Sequence, residues 1–531
     1  MKSRSPVLAA FLSFIFPGLG QIYAGQSRRG VIWAVPMIVV ILGALFLLAG
    51  GSKSLTAFLS ADATLALVVF DLVFFLYHVA AMVDAYLVAR KTQPTMARGP
   101  GIQTAPVALA ALIALAIVLH GLPGAYGFAY FQFASSFTGD STDVIPQASF
   151  GHQSLPPQTP VPSTGVPIGT LPATTGPGAT GEPTDEDAEP TDTPPPSRDP
   201  NSTFKPKSCP AAPDMSNWAP GADGRLDILL VGSDSRSDDG VSAASLRTDS
   251  MLLLSVDIAD CKAALFSFPR NMTDVPADSI TRYPDWLYIP TESGQSYNGY
   301  LFGLWRQAAA SPGEFPGSDG VSGADCQVQF GCERGWRALT YAIQQMAGVN
   351  VDGVVAVNLK GFVDLVENLP GGGVWLDIPA PLSDDAYYNS QQQLYPVNFQ
   401  KGCQFLDPED TLAYARSRHQ DSDYQRERRQ QFVLTSIRKQ LDPLALLPHI
   451  PGLLNAAQAN LFMTFSSDDF PYLAQVASRV DADRLYQYDF APAHLVPLGS
   501  MAGMQAKVQN IFSEPEPNPE PQQPGDACPP N

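Results

Sequence analysis

Three apolar runs, Val31–Ala49, Leu65–Val88 and Ala105–Leu122, constrain this chain more than any other feature. Each is about long enough for a helix to cross a hydrocarbon core of ~30 Å. Inside lipid a helix satisfies its own backbone hydrogen bonds, which an open strand cannot do. A shorter apolar stretch, Leu8–Tyr23, precedes them and is broken by Pro17-Gly18-Leu19-Gly20. Lys2, Arg4, Arg28, Arg29, Arg90, Lys91 and Arg98 flank these segments. Placing all of these charges in the cytoplasm orients the set. The first segment then dips in and returns, or lies in the interface, and three spans follow. Everything beyond residue 125 is outside. A four-span arrangement would put Lys2 and Arg4 outside, so it ranks second. A cleaved signal peptide does not fit, because more membrane segments follow at once. Residues 1–125 are therefore expected to form a multi-pass membrane region with the C-terminal part extracytoplasmic. Asp71 and His78 lie two turns apart on roughly one face of the second long run. Ionisable groups at that depth are functional candidates, and an inter-helix hydrogen bond is the plainer reading.

Residues 138–224 are rich in Pro, Thr, Ser and Gly and carry the acidic run EPTDEDAEPTDTPPPSRDP. Such a segment cannot bury enough apolar surface to offset its chain entropy. It reads as a disordered linker kept extended by proline. Residues 513–531 form a similar tail, apart from Cys528. Between them, residues 225–512 read as a folded domain. Asp227–Ser233, Ser250–Asp257, Ala263–Phe268, Val354–Val357 and Val374–Ile378 have the short apolar pattern of buried strands. Helices are expected over Trp336–Ala347, Phe362–Leu369, Pro408–Arg416, Asp423–Leu441 and Asp468–Arg479. This alternation predicts an α/β layered domain. All six cysteines follow residue 200, which suits an oxidising exterior. Cys326 and Cys332 are spaced to staple one loop; the other pairings stay open. The scatter of the cysteines, with no histidine cluster beside them, argues against zinc.

The chain has a formal charge of −19, which disfavours a nucleic-acid partner. Yet Arg416, Arg418, Arg426, Arg428 and Arg429, with Gln430, crowd between Ala413 and Gln431. Clustered guanidiniums grip phosphate through forked hydrogen bonds. Asp407-Pro408 starts one helix, and Arg416 and Arg418 leave its C-terminus. Asp423 starts the next, on which Arg426, Gln430, Val433 and Ile437 share a face. Arg426 and the N-terminus of that helix can then address one anion. Surface ion pairs with Asp421, Asp423 and Glu427 are the alternative. Asp234 and Asp249 sit at strand ends, where paired carboxylates with a substrate phosphate hold Mg²⁺. They also suit ordinary turn and cap positions. Arg270 adds a cation at a strand exit, where α/β sheets place ligands.

The blocks DILLVGSDSR, RTDSMLLLSVD, FSFPRN, YNGYLFG, VDGVVAVNLKGFVDLVENLPGGGVWLDI and LAYARSRHQDSDYQRERRQQ, in this order across residues 227–431, resemble the LytR-CpsA-Psr (LCP) family. The resemblance implies an α-β-α layered domain around a central mixed sheet, with a deep apolar pocket for a polyprenyl chain. It implies Mg²⁺-dependent transfer of a glycopolymer from a polyprenyl (pyro)phosphate carrier to peptidoglycan, forming a phosphodiester. By position, Asp234 and Asp249 match metal-binding aspartates. Arg247, Arg270, Arg416, Arg418, Arg426 and Gln430 match pyrophosphate-contacting or catalytically important positions, and Asp423 matches the acidic residue before the last arginine. Arg236 and Asn298 also fall on motif positions. Two residues depart from the family pattern: Asn271 stands where Asp is usual, and Ser296 where Lys is frequent. The loop between Asp234 and Asp249 is longer than usual, and an insertion surrounds Pro312–Gly335. A phosphatase acting on polyprenyl pyrophosphate and a non-catalytic wall-polymer binder or regulator remain as alternatives.

Overall fold

The computed structural model describes residues 4–50, 56–91, 104–137, 209, 215, 218–221, 223–234, 246–272, 286–290, 296–297, 299–311, 333–417, 423–441, 443–480, 485–515 and 528. Cys326 and Cys332 lie outside these residues. The N-terminal part holds α1 (Pro6–Ile15), α2 (Leu19–Tyr23), α3 (Ser27–Ala49), α4 (Ala61–Lys91) and α5 (Thr104–Ser135). Among the described residues three helices, α3, α4 and α5, are long and apolar enough to cross a membrane. Helix α1, at ten residues, spans only about 15 Å. It turns back on α2 through Gly18 at φ 104°, where a Cβ would lie 2.3 Å from the Gly30 carbonyl oxygen. The Pro-Gly-Leu-Gly break is thus a tight hairpin between two short helices.

Polar groups stitch these helices together. Asp84 accepts from Arg29 Nε at 2.9 Å, Trp33 Nε1 at 3.0 Å and Gln21 Nε2 at 3.1 Å. Asp71 and His78 do form an inter-helix link, but through His120 of α5, which the sequence reading missed. His120 lies 2.8 Å from Asp71 and 3.2 Å from His78, and His78 reaches the Phe14 carbonyl at 2.8 Å.

Among the described residues the C-terminal part has twelve strands: β1 (Arg225–Ser233), β2 (Thr248–Asp257), β3 (Lys262–Ser267), β4 (Ile289–Pro290), β5 (Ser296–Tyr297), β6 (Gly353–Asn358), β7 (Val374–Ile378), β8 (Leu382–Asp384), β9 (Val397–Phe399), β10 (Gly402–Leu406), β11 (Leu461–Met463) and β12 (Leu485–Asp489). Its principal helices are α6 (Leu301–Ala310), α7 (Glu333–Ala347), α8 (Leu359–Glu367), α9 (Pro408–Arg416), α10 (Asp423–Gln440), α11 (Ile450–Asn460), α12 (Phe470–Ala477) and α13 (Met501–Gln509). A central six-stranded sheet runs β11-β6-β1-β2-β3-β12. It is mixed: β1/β6 and β3/β12 are parallel, and the other pairs antiparallel. Small antiparallel ladders, β7/β10 and β8/β9, lie beside it.

The pleat sends alternate residues to opposite faces. Leu229, Val231, Met251, Leu253, Val354 and Ala356 face a core shared with α6, α7 and α13, where Trp305 meets Trp336 edge-on at 5.7 Å. On the other face, helices α8 to α11 stand over Leu230, Leu252, Val355 and Val357, and here the layer is hollow. Helix α8 begins at Leu359, three residues before the expected Phe362, because the Asn358 side chain accepts from Gly361 N at 2.6 Å and caps it. Met215 and Trp218, inside the stretch read as linker, are buried against Leu226 and Ile228, and Trp218 stacks on Tyr472 at 5.3 Å. Disulfides join Cys209 to Cys261 and Cys403 to Cys528, tying both flanks to the domain.

At the opening of β1, Asp352 accepts from the Asp227 and Gly221 amides at 2.8 and 3.4 Å. Burial pushes its carboxyl up to about 8, aided by the charges of Asp227 and Asp223 and opposed by those two amides. Asp227 is itself pushed up by burial. An acid with a raised folded pKa binds its proton more tightly when folded, so stability is greatest below its unfolded value. Thermal melts of the whole chain in detergent are expected to show Tm falling as pH rises from about 4 to about 8. Asp352→Asn, which cannot ionise, is expected to make that decline shallower; an unchanged slope would contradict the assignment.

A cationic cleft at the end of an apolar cavity

The cleft begins with an irregularity in the β1/β2 ladder. Gly232 pairs with Ser250, but Ser233 pairs with Thr248, so Asp249 is an extra residue in β2. A bulge of this kind re-aims a side chain at the rim of a sheet. Asp249 thereby reaches Arg270, whose Nη1 lies 2.6 Å from its Oδ1. Arg270 follows β3 through Pro269, and its carbonyl accepts from Phe302 N at 2.9 Å. The Phe302 ring lies under two guanidiniums, Arg270 at 5.4 Å and Arg247 at 5.8 Å. Stacking leaves the planar edges of such groups available to a ligand.

Asp234 and Arg247 clasp each other across the loop ends. Asp234 N donates to the Arg247 carbonyl at 3.1 Å, and Arg247 N donates to Asp234 Oδ1 at 2.9 Å. Burial pushes the Asp234 carboxyl up, and the neighbouring Asp249 charge pushes it further. The Arg247 amide and the Arg247 and Arg416 charges oppose that rise.

Helices α9 and α10 supply the other side. Arg416, the last residue of α9, stacks on Tyr387 at 5.8 Å and donates to its hydroxyl at 3.4 Å. Arg426 is buried and donates from Nη2 to the Asp249 carbonyl at 3.3 Å. Gln430, one turn on, accepts from Ser250 Oγ at 2.7 Å.

Behind these groups is a cavity of about 390 Å³. Ser233, Asp249, Ser250, Asn358, Arg416 and Gln430 form its polar end. The rest of the lining is aliphatic or phenyl, including Leu252, Val357, Phe362, Leu365, Val433 and Ile437. Along α10, Gln430 is followed by Val433, Leu434 and Ile437, each farther from the arginines.

Among the sequence-derived candidates, Asp234, Arg247, Asp249, Arg270, Arg416, Arg426 and Gln430 converge here. Arg418, Arg236 and Asn298 lie outside the described residues, and of Asp423 only the backbone, at the start of α10, is described. Arg428 and Arg429 correct the expectation of one shared cluster. Arg428 Nε pairs with Asp489 at 3.1 Å. Burial alone would raise Asp489, but the bond to His494 and the charges of His494 and Arg428 outweigh it and hold the carboxyl below its usual value. Arg429 is buried and donates to the carbonyls of Tyr414, at 2.8 Å, and Ser417, closing the end of α9. It positions Arg416 while facing away from the cleft. Helical rotation explains the split, since neighbours on α10 diverge by about 100°. Phe302 and Tyr387, the stacking platforms, were missed. Phe302 does sit in the YNGYLFG block, whereas nothing in the sequence marks Tyr387.

The two aspartates suit a hard divalent cation. One oxygen of each is engaged, by Arg247 N and by Arg270, and the second oxygen of each has no hydrogen bond among the described residues. The mutual repulsion of two half-buried carboxylates is what such an ion relieves. No group of three or more His, Cys, Asp or Glu able to hold a metal exists among the described residues. Substrate oxygens and water would have to complete the shell.

A model of the LytR_cpsA_psr family matches residues 197–495. The chain is 27% identical over 284 residues to the polyisoprenyl-teichoic acid–peptidoglycan teichoic acid transferase TagT of Bacillus subtilis, covering 52% of this chain and 73% of that protein. It is 29% identical over 226 residues to the cell wall biosynthesis protein LcpA of Corynebacterium glutamicum, covering 41% of this chain and 40% of LcpA. Among solved structures, TagV of B. subtilis aligns with a TM-score of 0.36 at 17% identity, over 55% of this chain and 98% of that one.

Proposed function

We infer function from one premise: the chain belongs to the LytR_cpsA_psr family. It transfers a glycopolymer to peptidoglycan, the activity carried in the names of its TagT, TagV and TagU relatives. The single observation that supports this for the present residues is a cleft lined by arginines at one end of an apolar cavity. That shape suits an amphiphile with a diphosphate head and a hydrocarbon tail. Each tail methylene buried contributes roughly 0.8 kcal/mol. Arg247, Arg270, Arg416 and Arg426 neutralise the head, and the charge growing on the leaving phosphate is stabilised by donors already in place.

In this reading a hydroxyl of the peptidoglycan acceptor attacks the sugar-bearing phosphorus in line. A new P–O bond forms, the bridging P–O bond breaks, and the polyprenyl phosphate departs. The hydroxyl proton passes to a carboxylate. Mg²⁺ bound by Asp234 and Asp249 supplies additional charge neutralisation when present. The extracytoplasmic placement of the domain is part of the proposal, supported by the flanking positive charges and by two disulfides.

The test uses labelled lipid-linked polymer with the whole chain in proteoliposomes. Label is expected to move to peptidoglycan only when peptidoglycan is added, to stop with a chelator and to return with Mg²⁺. Release of label without acceptor would mark a phosphatase. Binding with no turnover would mark a non-catalytic binder. Activity indifferent to chelation would remove the metal assignment alone.

A further inference from the structure

The cavity and the membrane helices share one element, α11. Leu453 of α11 lines the cavity, and so does Leu461 just after it. Helix α11 packs on α8, which contributes Phe362 and Leu365 to the same lining. It also packs on α5, the third of the membrane-length helices. Helix α11 runs against α8, with Gly452 beside Asn368 and Asn460 bonded to Asp364, so Leu453 lies toward the far end of the cavity and Leu461, paired with Val357, toward the polar end. Helices α8 and α10 both start at the polar end, α8 beside Asn358 and α10 near Arg426, and run away from it. Leu365 and Ile437 therefore lie toward the far, apolar end.

Helix α5 has 32 residues, or about 48 Å, against a hydrocarbon core of ~30 Å. Its last third carries Tyr126, Phe128, Tyr130, Phe131 and Phe133, the aromatic content of a membrane–water boundary. There it meets the domain. Phe133 and Phe137 contact Phe470 of α12 at ring distances of 5.9 and 6.1 Å. Ser467 N donates to the Phe137 carbonyl at 3.2 Å. The domain thus rests on the top of the membrane helices, in direct contact with them.

We propose that the seam between α5 and α11 is the portal through which the carrier's isoprenoid tail passes from the bilayer into the cavity. The inference rests on the lipid-carrier reading above. A cavity of about 390 Å³ is at the small end of the pockets that enclose a drug-sized molecule. It holds a few isoprene units, and the remaining units of a long polyprenyl chain must stay in an apolar medium. The bilayer beside α5 is that medium. Docking on Phe470 keeps the apolar end of the cavity at the membrane surface, so the tail need not cross water while its diphosphate sits among the arginines.

The experiment uses the whole chain in nanodiscs with a polyprenyl phosphate bearing a diazirine near the middle of its tail. Photolysis is expected to label both the 450–460 and the 124–137 peptides. Phe470→Ser is expected to lose the long-chain probe's label on 450–460 and to keep that on 124–137, which faces the bilayer in either case. A short-chain, water-soluble analogue should still label 450–460 in that variant, which shows the cavity intact. Label on neither peptide, or on 450–460 alone in the unaltered chain, would overturn the portal. Labelling of both peptides without polymer transfer would leave the portal standing and sink the transferase reading. Transfer without labelling would do the reverse.

Discussion

Arg416→Ala is expected to lower polymer transfer by at least about 10²–10³-fold, the usual cost of removing one preorganised donor from a developing anion. The fold is expected to survive. Arg416 ends α9 at a half-buried position, and what it loses is one stacking contact on Tyr387 and a 3.4 Å hydrogen bond. Together these are worth about 1 kcal/mol. The end of α9 is held by Arg429 and by the Ser417–Asp384 hydrogen bond, neither of which the substitution touches. Arg416→Lys keeps the charge but loses the planar fork and the stacking, so a substantial defect is expected there too. Transfer rates with labelled lipid-linked polymer, alongside circular dichroism, read both effects. Wild-type rates in Arg416→Ala would remove the residue from the chemistry. Lost ellipticity would mean that its contribution was structural.

Ala415→Trp tests the tail of the amphiphile just behind Arg416. Ala415 is buried, lines the cavity and precedes Arg416 by one residue. An indole there has about 390 Å³ to enter, so it is expected to fill the cavity instead of forcing the core apart. Excluding about four tail methylenes costs roughly 3 kcal/mol, or about 100-fold in affinity for the long-chain carrier. The defect is expected in KM for polyprenyl-linked polymer and to be much smaller for a short-chain analogue. An unchanged KM for the long chain would mean that the tail lies elsewhere.

How legible each part was depended on the range of the interaction behind it. The strands β1, β2 and β3 and the helices α9 and α10 stand within a residue or two of their sequence-derived limits, because apolar period, Asp407-Pro408 and Asp423 are local signals. Helix α8 starts three residues early because its cap is Asn358, whose side chain accepts from Gly361 N. Strands β11 and β12 were missed: three and five residues long, they hold no periodic pattern and gain their pairing from β6 and β3. In the cleft, Asp234, Arg247, Asp249, Arg270, Arg416, Arg426 and Gln430 were legible as residue types at suggestive places. Phe302 and Tyr387 were not, since an aromatic becomes a guanidinium platform only when the fold lays an arginine across it.

Membrane-length helices and an arginine-rich helical segment were written in the sequence itself, because hydropathy and charge are properties of neighbouring residues. The tertiary structure alone decided that Arg428 and Arg429 turn to Asp489 and to carbonyls while Arg416 and Arg426 face the cleft. It also set the bulge that aims Asp249, and the joining of α5 to the cavity wall through α11. Each of these depends on residues far apart in the chain meeting across a packed layer, where sterics and burial choose one partner out of several that composition would allow.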